Sequence, residues 1–180
     1  MCHFFRLLLC IAVLANFAER CVARQPFVAA GLEQLPQTWL EDNSRPLTLA
    51  ALRGQRIVLT MAYASCHRIC PMTVDALRRM QQRADARAEP VIFLIVSYDP
   101  ANDTPAVWHR YRLERRLDRP NWHFLTGSIA DTHLLARQLG FPFWMYDGHV
   151  MHESHAVVFD ERGLQQATLD SRVSRWSDTL

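Results

Sequence analysis

The chain has 180 residues, of which 49% are apolar and 21% charged, with a formal net charge of +2. That length suits one domain with its own core, and the apolar share excludes a disordered chain. The near-balanced charge, without a basic run, excludes a nucleic-acid groove.

The first segment reads as an address. His3 and Arg6 precede an apolar stretch over residues 7–18, and Cys21-Val22-Ala23 then offers small residues to a signal peptidase. These twelve residues, interrupted by Asn16, fall short of the roughly 20 that a membrane span needs. Residues 1–23 are read as a signal peptide or uncleaved N-terminal anchor, and residues 24–180 as a single exported domain. Cleavage after Ala23 removes Cys2, Cys10 and Cys21, leaving Cys66 and Cys70. Cysteines that close together cannot staple a fold, so the pair is read as redox-active or metal-binding.

Residues 24–48 are polar and broken by prolines, with a short hairpin expected over 39–49 around Asn43-Ser44. The continuous apolar run at 57–63 predicts a buried strand. The cysteines follow it, and Pro71 is expected at the first helical position, ahead of a face made by Thr73, Leu77, Met80 and Ala84. A second buried strand is predicted at 91–97. Thr104-Pro105 then caps a helix carrying Val107, Trp108 and Tyr111. A third strand is expected at 122–125. After it, a capping box at 128–131 opens a helix with Leu134, Leu135 and Leu139, which Gly140 ends. An aromatic loop leads to a hairpin of 156–159 and 164–169 around Glu161-Arg162-Gly163. Trp108, Tyr111 and Trp122 are assigned to the core. Phe141, Phe143, Trp144 and Tyr146 are read as packing first and as a partner-docking surface second. Strands alternating with helices, then a hairpin, give an α/β chain similar in layout to a thioredoxin-like three-layer sandwich with a mixed sheet.

This order sets Cys66 and Cys70 between a strand's carboxyl end and a helix's amino end, where backbone donors and the helix dipole favour thiolate. Two thiolates can form a disulfide or hold a soft metal, Cu(I) or Zn. A further nitrogen donor is expected from Gly148-His149-Val150-Met151-His152-Glu153-Ser154-His155, and the spacing does not choose among its three histidines.

The stretch 63–71, Tyr-Ala-Ser-Cys-His-Arg-Ile-Cys-Pro, resembles the metal loop of the Sco (SenC) copper-chaperone family. Residues 96–105, Val-Ser-Tyr-Asp-Pro-Ala-Asn-Asp-Thr-Pro, resemble that family's second signature, and Leu125-Thr126-Gly127 a third. The likeness runs from about Arg53 to Gly163. The family's ligand histidine lies eleven residues before the hairpin glycine, which from Gly163 is His152. The resemblance therefore implies copper held by Cys66, Cys70 and His152, with His149, His155 and His67 as further donors in reach of the same role. It also implies delivery to the binuclear copper site of a respiratory cytochrome oxidase subunit, a membrane-associated partner. The location implied is the periplasm, free or anchored to the inner membrane. His67 and Arg68 stand where the family usually has Pro and an acidic residue, and little remains of its closing helix beyond residues 173–180.

The competing reading is an enzyme, a thiol-disulfide oxidoreductase cycling Cys66 and Cys70 against a reductant partner. A generic thioredoxin carries a proline facing its cysteines before the hairpin, and no Pro follows Pro142 here. A peroxidase would place Thr three residues before its cysteine; Tyr63 and His67 stand there. A copper sensor would share the same donors. Asp99 is read evenly, as a residue orienting the site or as the end of its strand.

Overall fold

The computed structural model describes residues 31–66, 69–170 and 176–179. The leader, His67, Arg68 and residues 171–175 lie outside the described residues. Nine strands are described. They are β1 (Thr38–Glu41), β2 (Pro46–Thr48), β3 (Arg56–Ala62), β4 (Val91–Ser97), β5 (Trp122–Thr126), β6 (Phe143–Tyr146), β7 (His149–His152), β8 (His155–Phe159) and β9 (Gln165–Asp170). Three helices, α1 (Ile69–Arg87), α2 (Pro105–Glu114) and α3 (Ile129–Leu139), join them.

Seven strands form one mixed sheet in the order β2-β1-β5-β4-β3-β8-β9. β3, β4 and β5 are parallel, linked through α1 and α2, while β1 and β8 flank them antiparallel. Every residue of β3 after Arg56 is buried, as is nearly every residue of β4. A strand buried on both faces has a layer on each side, which is the three-layer arrangement the apolar runs imply. Trp108 (0% exposed), Tyr111 and Trp122 sit in this core.

The helices follow their local chemistry. Thr73, Leu77, Met80 and Ala84 form the buried stripe of α1. That helix begins at Ile69, so Pro71 is not its first residue. Pro71 still lies within the first turn, where the missing N–H has no intrahelical partner to lose. Thr104 Oγ1 accepts the Val107 N–H at 3.4 Å, with Pro105 opening α2. Ser128 Oγ accepts the Asp131 N–H at 3.0 Å, and its hydroxyl in turn donates to the Asp131 carboxylate. Gly140, at φ 70°, closes α3 in the left-handed conformation. Of the three leucines expected on that helix, Leu134 is exposed, because the buried stripe passes through Leu135 and Leu139.

The aromatic loop differs most from expectation. It is a second hairpin, β6 against β7, closed by Asp147 and Gly148, both at positive φ. An Asp-Gly pair fits a two-residue turn whose twist matches its flanking strands. Phe141 is buried and Phe143 packs on the core, whereas Trp144 and Tyr146 are exposed. The last strand begins at Gln165, one residue beyond the expected start.

Two contacts fix the end of the sheet from which the cysteine loop leaves. Asp103 is buried, and its carboxylate accepts the Ala64 N–H at 3.0 Å and the Ser97 hydroxyl at 2.5 Å. The Thr126 hydroxyl donates to the Asp103 carbonyl, so one residue ties the ends of β3, β4 and β5 together. Nearby, a Cβ at Gly127 would come 2.5 Å from the Trp39 ring, itself buried with its Nε1 donating to the Pro36 carbonyl at 2.8 Å. Only glycine leaves room for that indole.

Gly127→Ala is therefore expected to lower stability by about 1–3 kcal/mol, measured by denaturant unfolding, through forced repacking around Trp39. Burial, against its two hydrogen bonds, raises the Asp103 carboxyl from 3.8 to about 6. The folded chain thus keeps a proton that the unfolded chain releases between pH 4 and 6. This group's stabilisation is full below pH 4 and is lost as pH rises through 6. Relative to Asp103→Asn, the native protein is expected to lose on the order of 3 kcal/mol from pH 4 to 7, and parallel stability profiles would refute this.

Candidate metal centre

β3 ends at Ala62, and four residues later Cys66 stands at the mouth of α1, with Cys70 in its first turn. The Cys70 N–H donates to Cys66 Sγ at 3.4 Å, so the helix's first amides face the sulfur. His152 closes the group from the other side of the sequence. β8 runs antiparallel to β3, with Ala156 opposite Thr60. The residues entering β8 therefore arrive where β3 delivers the cysteine loop.

The donor atoms of Cys66, Cys70 and His152 lie within 4.8 Å of one another, the one such group among the described residues. His152 Nε2 is 3.5 Å from Cys70 Sγ and 3.9 Å from Cys66 Sγ. Its Nδ1 donates to the Glu153 carbonyl at 2.9 Å, which leaves the Nε2 lone pair facing the sulfurs. The entry to β8 is itself held. Thr73 and Ser154 hydroxyls bond at 2.8 Å, and Thr60 donates to the His155 carbonyl. All three donor residues are buried.

The electrostatics at Cys70 run against the thiolate expected at a helix mouth, because the neighbouring sulfur and burial outweigh the backbone donors. The hydrogen bond to the Cys66 sulfur, then burial, pushes the Cys70 thiol strongly upward. A cation that binds Cys70 must therefore displace its proton. Tyr98 packs on the imidazole at 4.7 Å between centroids, and Tyr63 meets it edge-on at 5.7 Å. Burial, with the neighbouring Cys66 adding, raises the Tyr63 phenol to about 12. Burial, with Cys70 adding, raises Tyr98 as well, so both rings wall the site as neutral phenols. Two thiols and one imidazole in a tight, buried group suit a soft cation such as Cu(I), and leave further positions for a donor from a partner.

The other expected residues fall elsewhere. His149 is exposed on β7, and the His155 ring packs edge-on against Phe141 at 5.3 Å, so neither joins the donor group. His67 lies outside the described residues. Asp99 caps its own turn, accepting from Asn102 Nδ2 at 2.8 Å, while its N–H meets the Ser97 hydroxyl at 2.8 Å. Those contacts are the ones the strand-ending reading calls for, while the Asp99 charge also acts on Tyr63 beside the donor group. Sequence reasoning missed Asp103, Tyr98 and the Glu153 carbonyl. Asp103 stood inside the second signature, and only the contact with Ala64 reveals what it holds.

Comparison with known proteins bears on the same residues. The family model for SCO1/SenC matches residues 33–176, a wider span than the motifs alone had indicated. A candidate copper-binding protein of Stutzerimonas stutzeri is 32% identical over 112 residues, covering 61% of this chain and 53% of that one. The chain thus spans a little over half the length of the curated relatives it matches. A SCO1/SenC family lipoprotein of Bacillus anthracis str. Ames superposes with a TM-score of 0.75 at 20% identity, over 87% of this chain and 93% of that one. Copper-bound ScoI of Arabidopsis thaliana does so with a TM-score of 0.71 at 19% identity, over 84% and 92%. These two likenesses are of thioredoxin-like fold, and with the family match over most of its length they place this chain in the SCO1/SenC family.

Proposed function

We propose that this chain binds one copper ion through Cys66, Cys70 and His152 and passes it to the binuclear copper centre of a respiratory cytochrome oxidase. The observation that carries the reading is the convergence of two buried sulfurs on His152 Nε2, with Nδ1 tied to a backbone carbonyl. Copper-bound relatives of the same fold support the choice of ion. Binding requires the proton on the sulfur pair to leave. A Cys2-His set accepts Cu(I) or Cu(II), with the net charge of the site differing by one. Transfer proceeds by ligand exchange, the target's thiolates replacing these sulfurs one at a time.

The proposed setting is outside the cytoplasm, with residues 1–23 as leader or anchor and the 24–180 domain facing the periplasm. Among the described residues no helix is long and apolar enough to cross a membrane. The second reading, reduction of a partner's cysteines, uses the same pair, whose sulfurs are close enough to exchange a proton. It gives no role to His152.

Titration of the reduced protein with copper separates the two. We expect one Cu(II) per chain, with strong thiolate charge-transfer absorption that Cys66→Ser or Cys70→Ser abolishes. His152→Ala should weaken Cu(II) binding by more than the ~10–100-fold typical of losing a supporting hydrogen bond, and should alter the spin-resonance signal. An unchanged spectrum in that variant removes His152 from the ligand set. No copper retention, together with a readily reduced Cys66–Cys70 disulfide, decides for the oxidoreductase. Copper-loaded protein mixed with the reduced copper-bearing domain of an oxidase subunit should transfer its ion; retention would defeat the delivery step.

A further inference from the structure

Cys66 and His152 are each 5% exposed, yet both border a cleft of about 640 Å³ open to solvent. An ion that reaches them crosses what lines this cleft. Met72 and Met151 are in that lining, together with His149. Methionine is ordinarily a buried residue, and in this chain Met61 and Met80 are core side chains at 2% and 0% exposure. Met72 and Met151 are instead 69% and 39% exposed.

Their placement follows from the elements around the metal centre. Met72 lies two residues past Cys70, in the first turn of α1. Met151 immediately precedes His152 on β7, whose residues alternate exposed and buried. His149 and Met151, two apart, therefore share the strand's outer face while Val150 and His152 turn inward. The hairpin and the helix thus set two thioethers and an imidazole in the lining of one cleft that Cys66 and His152 also border. Met145 is 61% exposed without lining the cleft, so it is the shared lining and not exposure alone that singles out Met72 and Met151.

We propose that Met72, Met151 and His149 form a receiving station selective for Cu(I), which takes the ion at the cleft rim and passes it to Cys66 and Cys70. This rests on the reading that those cysteines hold copper. Thioether sulfur is neutral and soft, so it favours Cu(I) over Cu(II), Zn and harder ions. A thioether binds without losing a proton, which suits capture at a weaker site ahead of a stronger one. In the handover the bonds from Cu(I) to thioether and imidazole break as bonds to the two cysteine sulfurs form. Each cysteine still protonated gives its proton to water as its sulfur binds, and copper remains Cu(I), so no electron moves. Thiolates are the stronger donors, which gives the step its direction.

The test uses the purified protein with 13C-methyl methionine, titrated anaerobically with Cu(I), beside the Cys66→Ser/Cys70→Ser double variant. In that double variant the Met72 and Met151 methyl signals should shift saturably. Met61 and Met80 in the core, and Met145, exposed but outside the cleft lining, should not. Met72→Leu with Met151→Leu keeps volume and apolar character. It should slow loading of the thiolate site about tenfold, with final affinity within roughly twofold of the native protein. Still methyl signals, a Met145 shift equal to the others, or an unchanged loading rate would each overturn the station. If the methyls move but the native protein retains no copper on its cysteines, Cu(I) binding at the rim stands while the handover and the chaperone reading both fall. If the native protein loads normally while the methyls stay still, the reverse holds.

Discussion

The pairing of β8 against β3 is the constraint from which the metal centre follows. β3 runs toward its carboxyl end and delivers Cys66; β8 runs the opposite way, with Ala156 facing Thr60. Antiparallel register makes the residues before β8 neighbours of those after β3, although 86 positions separate Cys66 from His152. A one-residue slip would turn the inward side chains of β8 to the other face. Thr60 defends the register by donating to the His155 carbonyl, at the point where the strand begins.

Around that pairing, short polar contacts hold each side of the donor group separately. Asp103 ties the cysteine side to the ends of β4 and β5, through Ala64, Ser97 and Thr126. The Thr73–Ser154 bond ties the histidine side to α1, and the Glu153 carbonyl fixes the imidazole's tautomer. Asp103 is held with its charge disfavoured by burial, which costs stability and indicates a position kept for what it orders. The supports reach the backbone and ring nitrogen next to the donors and leave the sulfurs to the ion. Such an arrangement fixes the directions from which the donors approach without closing the coordination shell.

The β6–β7 hairpin gives the site its two surroundings. Its inward residues Val150 and His152 are buried, Phe143 packs on the core, and Tyr98 stacks with both Phe143 and His152. On the outward face, Trp144 stands opposite Met151 and Tyr146 opposite His149. The inner face thus puts a low-dielectric wall behind the donor group, where electrostatic attraction is stronger than in water, while the outer face stays exposed.

Much of this was legible in the sequence because its signals are local. The runs that became β3 and β4, the stripe of α1, the Thr104-Pro105 cap and the stop at Gly140 depend on residues within a few positions of each other. So does the placing of two cysteines at a helix mouth. The choice of His152 came from its count before Gly163 in a familiar pattern, since His149 and His155 have the same chemistry. Tertiary structure separated the three, because strand alternation turns His152 inward and His149 outward and β8 carries His155 against Phe141. The hairpin itself was missed although Asp147-Gly148 announced it, since exposed Trp144, Met145 and Tyr146 hide the alternation that marks a half-buried strand. Asp103 and Tyr98 could not be assigned from sequence at all. Their roles are contacts with Ala64 and His152, across distances along the chain that only the folded sheet brings together.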